Sequence, residues 1–309
     1  MPTALKLIGT HPAIRAIRRT LPALANSDTH LLIIGEPGVG RTLVGRILHS
    51  LGPQRNQQLR SLNLALLTER EQRIALFGLE PPEASIGLQG IIEIPTTCLL
   101  RNIERALPHI QARLAEVLTQ REFRRTPNGP LRGLMGRIIF TVSVSDFRRP
   151  HGSRLGNSIR HVLRRLPKIG IPPLRERTQD IPLIAAYYRK HTLRMSHAAL
   201  PKDDTLLAPD FLNAYSWPGN VIELKACLRA AIPHSHRDIL CQKERLQFET
   251  MMMLLDEDGD FSLRHSIALI ERHILRRVLS KCDNNQYSAA RVLGLSERAL
   301  RYRIPAVPR

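Results

Sequence analysis

The stretch "THLLIIGEPGVGRTLVGRILHS", Thr29 to Ser50, places the tightest limit on what this chain can fold into. A β-rich run ends in a glycine loop, and the loop opens into a helical pattern with Leu43, Val44, Ile47 and Leu48 on one side. Strand, glycine loop and helix in that order frame a phosphate-binding loop. Helix N-terminal amides face an anion there, and glycine lets the backbone approach it closely. The nucleotide-binding pattern is G-x-x-x-x-G-K-[ST]. Gly35, Gly40 and Thr42 satisfy it, with Glu36 and Gly38 inside the loop, but Arg41 stands at the lysine position. Lysine is a compact point charge, whereas arginine is longer and planar, so a terminal phosphate is placed differently. The glycines also suit a turn with no ligand, and Thr42 suits a helix cap, so the loop alone does not establish chemistry.

Around this unit the chain changes character once. Ala4 to Leu24 has helical spacing, "QARLAEVLTQREF" continues an amphipathic helix through Ile110, Leu114, Val117 and Leu118, and "GRIIFTVSVS" reads as a buried strand. After the proline-rich "LPKIGIPPLRERTQDIP" only helical patterns follow: 181–195, 209–215, 221–231 and 263–280. The expectation is an α/β unit with a parallel sheet over residues 1–180, a helical unit over 181–255 and an all-α unit over 256–309, with "DEDGDF" as linker. A chain of 309 residues, 43% of them hydrophobic, supports several cores and excludes a disordered protein. No apolar run is long enough to cross a bilayer and the N-terminus lacks a signal-peptide core, so a cytoplasmic address is expected. Cys98, Cys227, Cys241 and Cys282 lack metal-site spacing and read as reduced thiols.

The formal charge of +19 draws polyanions but needs a reading element to become specific. "NNQYSAARVLGLSERALRYRIP", Asn284 to Pro305, supplies one. Ser288 caps a short helix holding Ala289 and Ala290, Gly294 allows the turn, Ser296 caps a second helix and Pro305 stops it. Leu300 and Ile304 then face inward. Arg298, Arg301 and Tyr302 face outward toward base edges, while Arg291 and Arg303 suit phosphate contacts. An ordinary helical hairpin is the other reading. Two caps, a turn glycine and an arginine-studded second helix favour double-stranded DNA, with "IALIERHILRRVL" as a dimer seam.

These strings together resemble the bacterial enhancer-binding proteins, the AAA+ activators of sigma-54 RNA polymerase followed by a Fis-type helix-turn-helix. The carriers are "LIGTHPAIR", "GEPGVGRTLVGRILH", "ALFG", "QARLAEVLTQREF", "IPPLRERTQDIPLI", "WPGNVIELK" and the tail, in family order over nearly the whole chain. The resemblance implies an AAA+ P-loop NTPase-like core with a parallel sheet, a helical lid and a C-terminal all-α helix-turn-helix domain. It also implies an oligomer between dimer and hexamer, contact with RNA polymerase or a sigma factor, and no membrane partner. The family's opening motif begins at Leu7, so no sensory domain is expected ahead of it.

Set against that family, the chain departs at the positions that carry chemistry. The loop after "ALFG" runs through "LEPPEASIGLQG", without the GAFTGA segment that grips the sigma factor and with too few residues to hold one. Counting back without gaps from Gln111 puts Arg101 and Asn102 where the family has the acidic pair that orients metal and prepares water. A different register would put Glu93 there instead; Glu104 is the other spare carboxylate. Ser143 stands for the asparagine that senses the terminal phosphate, and Ile222 for the lid arginine. Arg160, Arg164 and Arg165 are the equivalents open for the arginine fingers.

The resulting expectation is a DNA-binding transcription regulator on an AAA+ scaffold that does not hydrolyse ATP. The pocket of Gly35, Glu36, Gly38, Gly40, Arg41, Thr42, Arg101, Asn102 and Ser143 would hold ATP or ADP weakly and without Mg²⁺, and no catalytic or metal-ligating residue is assigned. Two alternatives stand beside it: an active sigma-54-dependent activator ATPase, and a non-catalytic subunit of a mixed ring with a paralogue.

Overall fold

The computed structural model describes residues 5–79, 87–149, 152–196, 216–231, 279, 285–292 and 300. Its centre is a five-stranded sheet in the order β2-β5-β8-β1-β9. The strands are β1 (Leu31–Ile34), β2 (Arg60–Asn63), β5 (Thr97–Arg101), β8 (Arg137–Val142) and β9 (Lys168–Gly170). Every pairing is parallel, with Leu31 opposite Ile139 and Leu99 also opposite Ile139 on its other side. Such a sheet is buried on both faces, which is why β8 reads as a continuous apolar run rather than an alternating one.

The two-residue period divides the sheet between two cores. Leu31, Ile33, Leu99 and Ile139 pack with Ile14, Ile17 and Leu21 of α1 (Pro12–Ala25) and with Val44, Ile47 and Leu48 of α2 (Arg41–Leu51). Leu32, Leu100, Ile138 and Phe140 pack on the other face. Their partners are α3 (Glu69–Phe77), α4 (Pro108–Gln120) and α6 (Asn157–Arg165). The short α5 (Val144–Arg148) follows β8. Helix, sheet and helix layers thus bear out the expected α/β class.

α1 starts at Pro12, eight residues after the sequence expectation of Ala4. The physical reason lies in Asp180: its buried Oδ1 accepts from Thr10 N at 2.5 Å and His11 N at 3.0 Å. Those amides are spent on a distant carboxylate, and Pro12, which has none to offer, opens the helix. At the far end, buried Arg137 donates to Ala25 O at 3.0 Å and Leu24 O at 2.5 Å, satisfying carbonyls in the last turn.

Two antiparallel hairpins project from this unit: β3 (Gly78–Leu79) with β4 (Leu88–Gln89), and β6 (Glu122–Arg124) with β7 (Leu131–Gly133). The tip of the first, 80–86, lies outside the described residues, and with it most of the segment where GAFTGA would stand. Beyond the sheet, α7 (Ile181–Ser196) packs on α8 (Asn220–Ala231) through Ile181, Ile184, Trp217, Leu224 and Leu228. The expected helices at 209–215 and 263–280 fall almost wholly outside the described residues. Near the C-terminal end a helix runs Gln286–Val292, with Ala289 N donating to Asn285 O at 3.0 Å. Ser288 therefore sits inside the first turn and is not the cap: the helix begins three residues earlier than expected because Asn285 already accepts its first bond.

Candidate nucleotide pocket at the carboxyl edge of the sheet

The glycine loop follows β1 as the sequence requires. Gly35 N donates to Val142 O at 3.3 Å, Gly40 has φ +105° at the start of α2, and Val44 N donates to Gly40 O at 3.1 Å. That left-handed φ is the conformation only glycine takes without strain, and it turns the first amides of α2 toward the mouth of the loop. The cradle for a phosphate is present.

What faces the cradle is not an acidic pair. Asn102, directly after β5, has φ +57° and is buried. Its backbone N–H donates to Thr141 Oγ1 at 3.0 Å and its Nδ2 donates to Asn63 Oδ1 at 2.9 Å. Arg41, also buried, donates through Nη2 to Asn102 Oδ1 at 3.2 Å. Arg41 can only donate, so the amide oxygen of Asn102 must face it and the nitrogen must face Asn63, which also accepts from Ala65 N at 3.2 Å. The result is a ladder across the carboxyl ends of β2, β5 and β8 made of one guanidinium, two amides and a hydroxyl. Arg101 ends β5 at intermediate exposure and Asn102 points at the loop cation.

Glu93 belongs to a different place. It precedes β5, accepts from Arg125 Nη2 at 2.7 Å and Nε at 2.9 Å, and accepts from Gly90 N at 3.2 Å. Arg125 also donates to Leu79 O at 2.8 Å. Glu93 is an ion-pair partner that ties the base of one hairpin to the other, and it lies ahead of β5 rather than at its carboxyl end. Two carboxylates do follow the sheet. Glu104 accepts from Ser143 N at 3.1 Å, and Asp146 accepts from Ser143 Oγ at 2.9 Å. Ser143 thus caps α5, its hydroxyl accepting from Asp146 N at 3.1 Å. Among the described residues no three His, Cys, Asp or Glu side chains cluster as a metal site would.

The cradle suits phosphate, and opposite it Arg41 and Asn102 present a cation and a neutral amide where the carboxylates that help hold Mg²⁺ beside a triphosphate would stand. Arg41 and Thr42 are both buried at the start of α2.

The outer side of the loop is clasped by the elements that follow the sheet. Arg175 donates to both oxygens of Glu36, at 2.7 and 2.5 Å, and Asn220 Nδ2 donates to Pro37 O at 2.9 Å and Glu36 Oε2 at 3.3 Å. Val221 N donates to Gly38 O at 3.1 Å, and Arg177 Nη2 to Val39 O at 3.1 Å. The Arg175 guanidinium holds the Glu36 carboxyl below its ordinary range, with the Asn220 amide adding to the effect. Ile222, one turn into α8, is buried against Ala226 and offers nucleotide no polar group. Of the candidate fingers, Arg160 is turned inward, donating to Phe147 O at 2.9 Å and Leu155 O at 3.1 Å, while Arg164 and Arg165 are exposed at the end of α6.

Asn63, Thr141, Arg175 and Asn220 were not singled out from sequence. Asn220 and Arg175 lie in quoted family strings, so proximity to "WPGN" and "PPLRER" was the available signal. Asn63 and Thr141 had none, because only strand order brings β2 and β8 beside β5. Of the DNA candidates, Ser288 and Arg291 lie in the Gln286–Val292 helix without described side chains, and Ser296, Arg298, Arg301, Tyr302 and Arg303 lie outside the described residues. Ala289, Ala290 and Leu300 are buried, as an inward helical face requires.

Comparison with known proteins completes the assignment. The sigma-54 interaction domain matches residues 7–147, the AAA+ ATPase lid domain 175–256, and the bacterial regulatory protein, Fis family, 266–305. The chain belongs to the bacterial enhancer-binding protein family. The chain is 28% identical over 319 residues to the phenol regulator MopR of Acinetobacter guillouiae, covering 99% of this chain and 57% of that one. It is 28% identical over 300 residues to the transcriptional regulatory protein ZraR of Klebsiella oxytoca, covering 95% and 67%. The transcriptional activator RocR of Bacillus subtilis is 25% identical over 315 residues, covering 96% and 67%. The chain thus spans little more than half of the phenol regulator. NtrX from Brucella abortus, solved with ADP, shares the fold at a TM-score of 0.64 and 21% identity, covering 98% of this chain and 69% of that one. It has also been solved with ATP. Among the described residues no helix is long and apolar enough to cross a membrane.

Proposed function

We propose that this chain is a sequence-specific transcription regulator that binds DNA through its Fis-type module and uses its AAA+ unit as a scaffold without ATP hydrolysis. One observation carries the reading: Arg41 and Asn102, at the positions that would hold cation and base, are bonded to each other in a ladder with Asn63. An amide takes up no proton from an attacking water, and loss of such general-base assistance costs about 10²–10⁴ in rate. The missing lid arginine at Ile222 removes a further contact, and such losses do not simply multiply. The glycine cradle still accepts ATP or ADP weakly, as the NtrX complexes illustrate for the fold, and Mg²⁺ adds nothing. Coupling to the sigma factor is lost with the GAFTGA segment.

The units divide as 1–180, 181–255 and 256–309, and the protein acts in the cytoplasm as a dimer or larger ring. Ser288, Arg291, Ser296, Arg298, Arg301, Tyr302 and Arg303 form the DNA-facing set. A second reading is favoured by the exposure of Arg164 and Arg165 at the end of α6: a non-catalytic subunit donating arginine across a ring boundary to an active paralogue. It requires a mixed ring on co-purification.

The test is ATP turnover by the full chain with Mg²⁺, beside Gly40→Val as a loop-dead control. The two are expected to be indistinguishable. Robust Mg²⁺-dependent hydrolysis by the unsubstituted chain supports the active-activator reading and overturns this one.

A further inference from the structure

The positive charge of this chain is not where its DNA-reading unit is. Residues 256–309 carry ten Lys and Arg against seven Asp and Glu, whereas residues 1–180 carry 27 against 13. The densest part is 148–174, with seven basic residues and no acidic one. That stretch falls between the match to the sigma-54 interaction domain, which ends at 147, and the match to the lid, which begins at 175.

The structure gathers these cations. Arg148 and Arg149 end α5, Arg154 leads into α6, Arg164 and Arg165 end α6, and Lys168 opens β9; all six are exposed. The seventh, Arg160, is buried and acts as the pin: its bonds to Phe147 O and Leu155 O hold the end of α5 against the start of α6. Lys168 Nζ donates to Arg164 O at 2.6 Å, closing the other end. Asp146, the nearest acid in sequence, is turned to Ser143 Oγ and to the Arg154 backbone N–H at 3.1 Å. None of the six forms an ion pair among the described residues.

We infer that these six side chains hold the phosphate backbone of duplex DNA flanking the site read by the Fis-type module. The inference rests on the DNA-binding reading and extends it to a second surface. Five of the six are arginines, which pair with phosphate oxygens in two-pronged geometry. A nine-residue helix spans about 13 Å, the axial length of about four phosphates on one strand. The proposed function already has this chain holding a duplex, so DNA is the polyanion it would meet here. Such contacts fix position and add affinity without reading sequence.

The experiment measures affinity of the full chain for its selected operator and for a scrambled duplex between 50 and 200 mM salt. The variant is Arg148→Ala/Arg149→Ala/Arg154→Ala, and the charge-keeping control replaces the same three with Lys. The alanine variant is expected to lose about 2–3 from the salt slope, so that its affinity falls about 15- to 60-fold less than wild type across that range. The loss is equal on operator and scrambled DNA, and lysine restores the slope. An unchanged slope overturns the inference. So does an altered sedimentation state with the slope intact, which assigns the face to contact between copies, or weaker binding to anionic vesicles or polyglutamate with DNA untouched. If thermal melting shows the triple variant unfolded, Arg148→Gln/Arg149→Gln carries the same test with an expected loss of about 2. Arg298→Ala/Arg301→Ala separates the two readings: if it leaves operator preference intact the recognition helix is wrongly placed, whatever the strip does.

Discussion

Single residues in this fold are constrained by what stands opposite them. Gly38 has φ +80°, and a Cβ there would run into the carbonyl oxygen of Gly219 at the start of α8. Gly38→Ala combines left-handed strain with a backbone clash that cannot relax by a rotamer change. It is expected to cost about 2 kcal/mol or more in urea unfolding, and a cost below about 0.5 would contradict the placement of α8 on the loop. Cys98 is wholly buried and donates to Ile91 O at 3.1 Å; burial pushes its thiol up to about 12. At pH 8 only about one in ten thousand molecules then carries the thiolate, so alkylation mapped by peptide should spare Cys98 until the chain unfolds. Modification of the native protein at Cys98 would refute that burial. At this scale the sequence was informative wherever a motif fixed the register. Arg41 could be placed by the glycine-loop pattern and Asn102 by counting from Gln111, but nothing in their neighbourhood announced that they bond to each other. Nor could Ser288 be excluded as a cap, since Asn285 offers an equally good start to the same helix.

Elements are joined by groups whose partners are far away in sequence. Glu93 and Arg125, both buried, link the β3–β4 hairpin to the β6–β7 hairpin across 32 positions. Removing one member of a buried pair strands the other, so Glu93→Gln is expected to destabilise by about 3–5 kcal/mol. Glu93→Leu/Arg125→Met should recover part of that in chemical unfolding. Equal losses in both variants would show that the pair is not the tie. His30, just before β1, accepts from Ile138 N at 3.0 Å through Nδ1, which requires a neutral ring. Burial, with Arg121 and Arg137 adding positive charge, lowers its pKa to about 4. The unfolded chain takes up that proton below about pH 6.5 and the folded one does not, so stability is present above 6.5 and lost as pH falls toward 4. The loss is at most about 3 kcal/mol, and His30→Asn should flatten the profile in that window. A wild-type profile already flat there would contradict the neutral ring. The parallel sheet and its helices were legible because apolar period and loop chemistry agreed. The start of α1 was not: Asp180 decides it from 170 positions away.

At the scale of the molecule, the proposed reading is that a phosphate cradle is retained while the groups that would work on a bound triphosphate are replaced. Arg175, Arg177 and Asn220 clasp the glycine loop from outside, and Arg41 with Asn102 fills its far side from within. Family strings made the three-unit order readable, because each string belongs to one unit and the order is fixed. Strand order was not readable, and it alone brings Asn63, Asn102 and Thr141 to one edge. The central claim is that this edge offers a cation and amides where a dication would need carboxylates. The direct measurement is a calorimetric titration of ATP into the full chain with Mg²⁺ and again with a chelator, repeated on Arg41→Ala. Equal affinity in the two buffers, weakened by the substitution, is the predicted result. ATP that binds ten-fold or more tightly with Mg²⁺ would contradict the account.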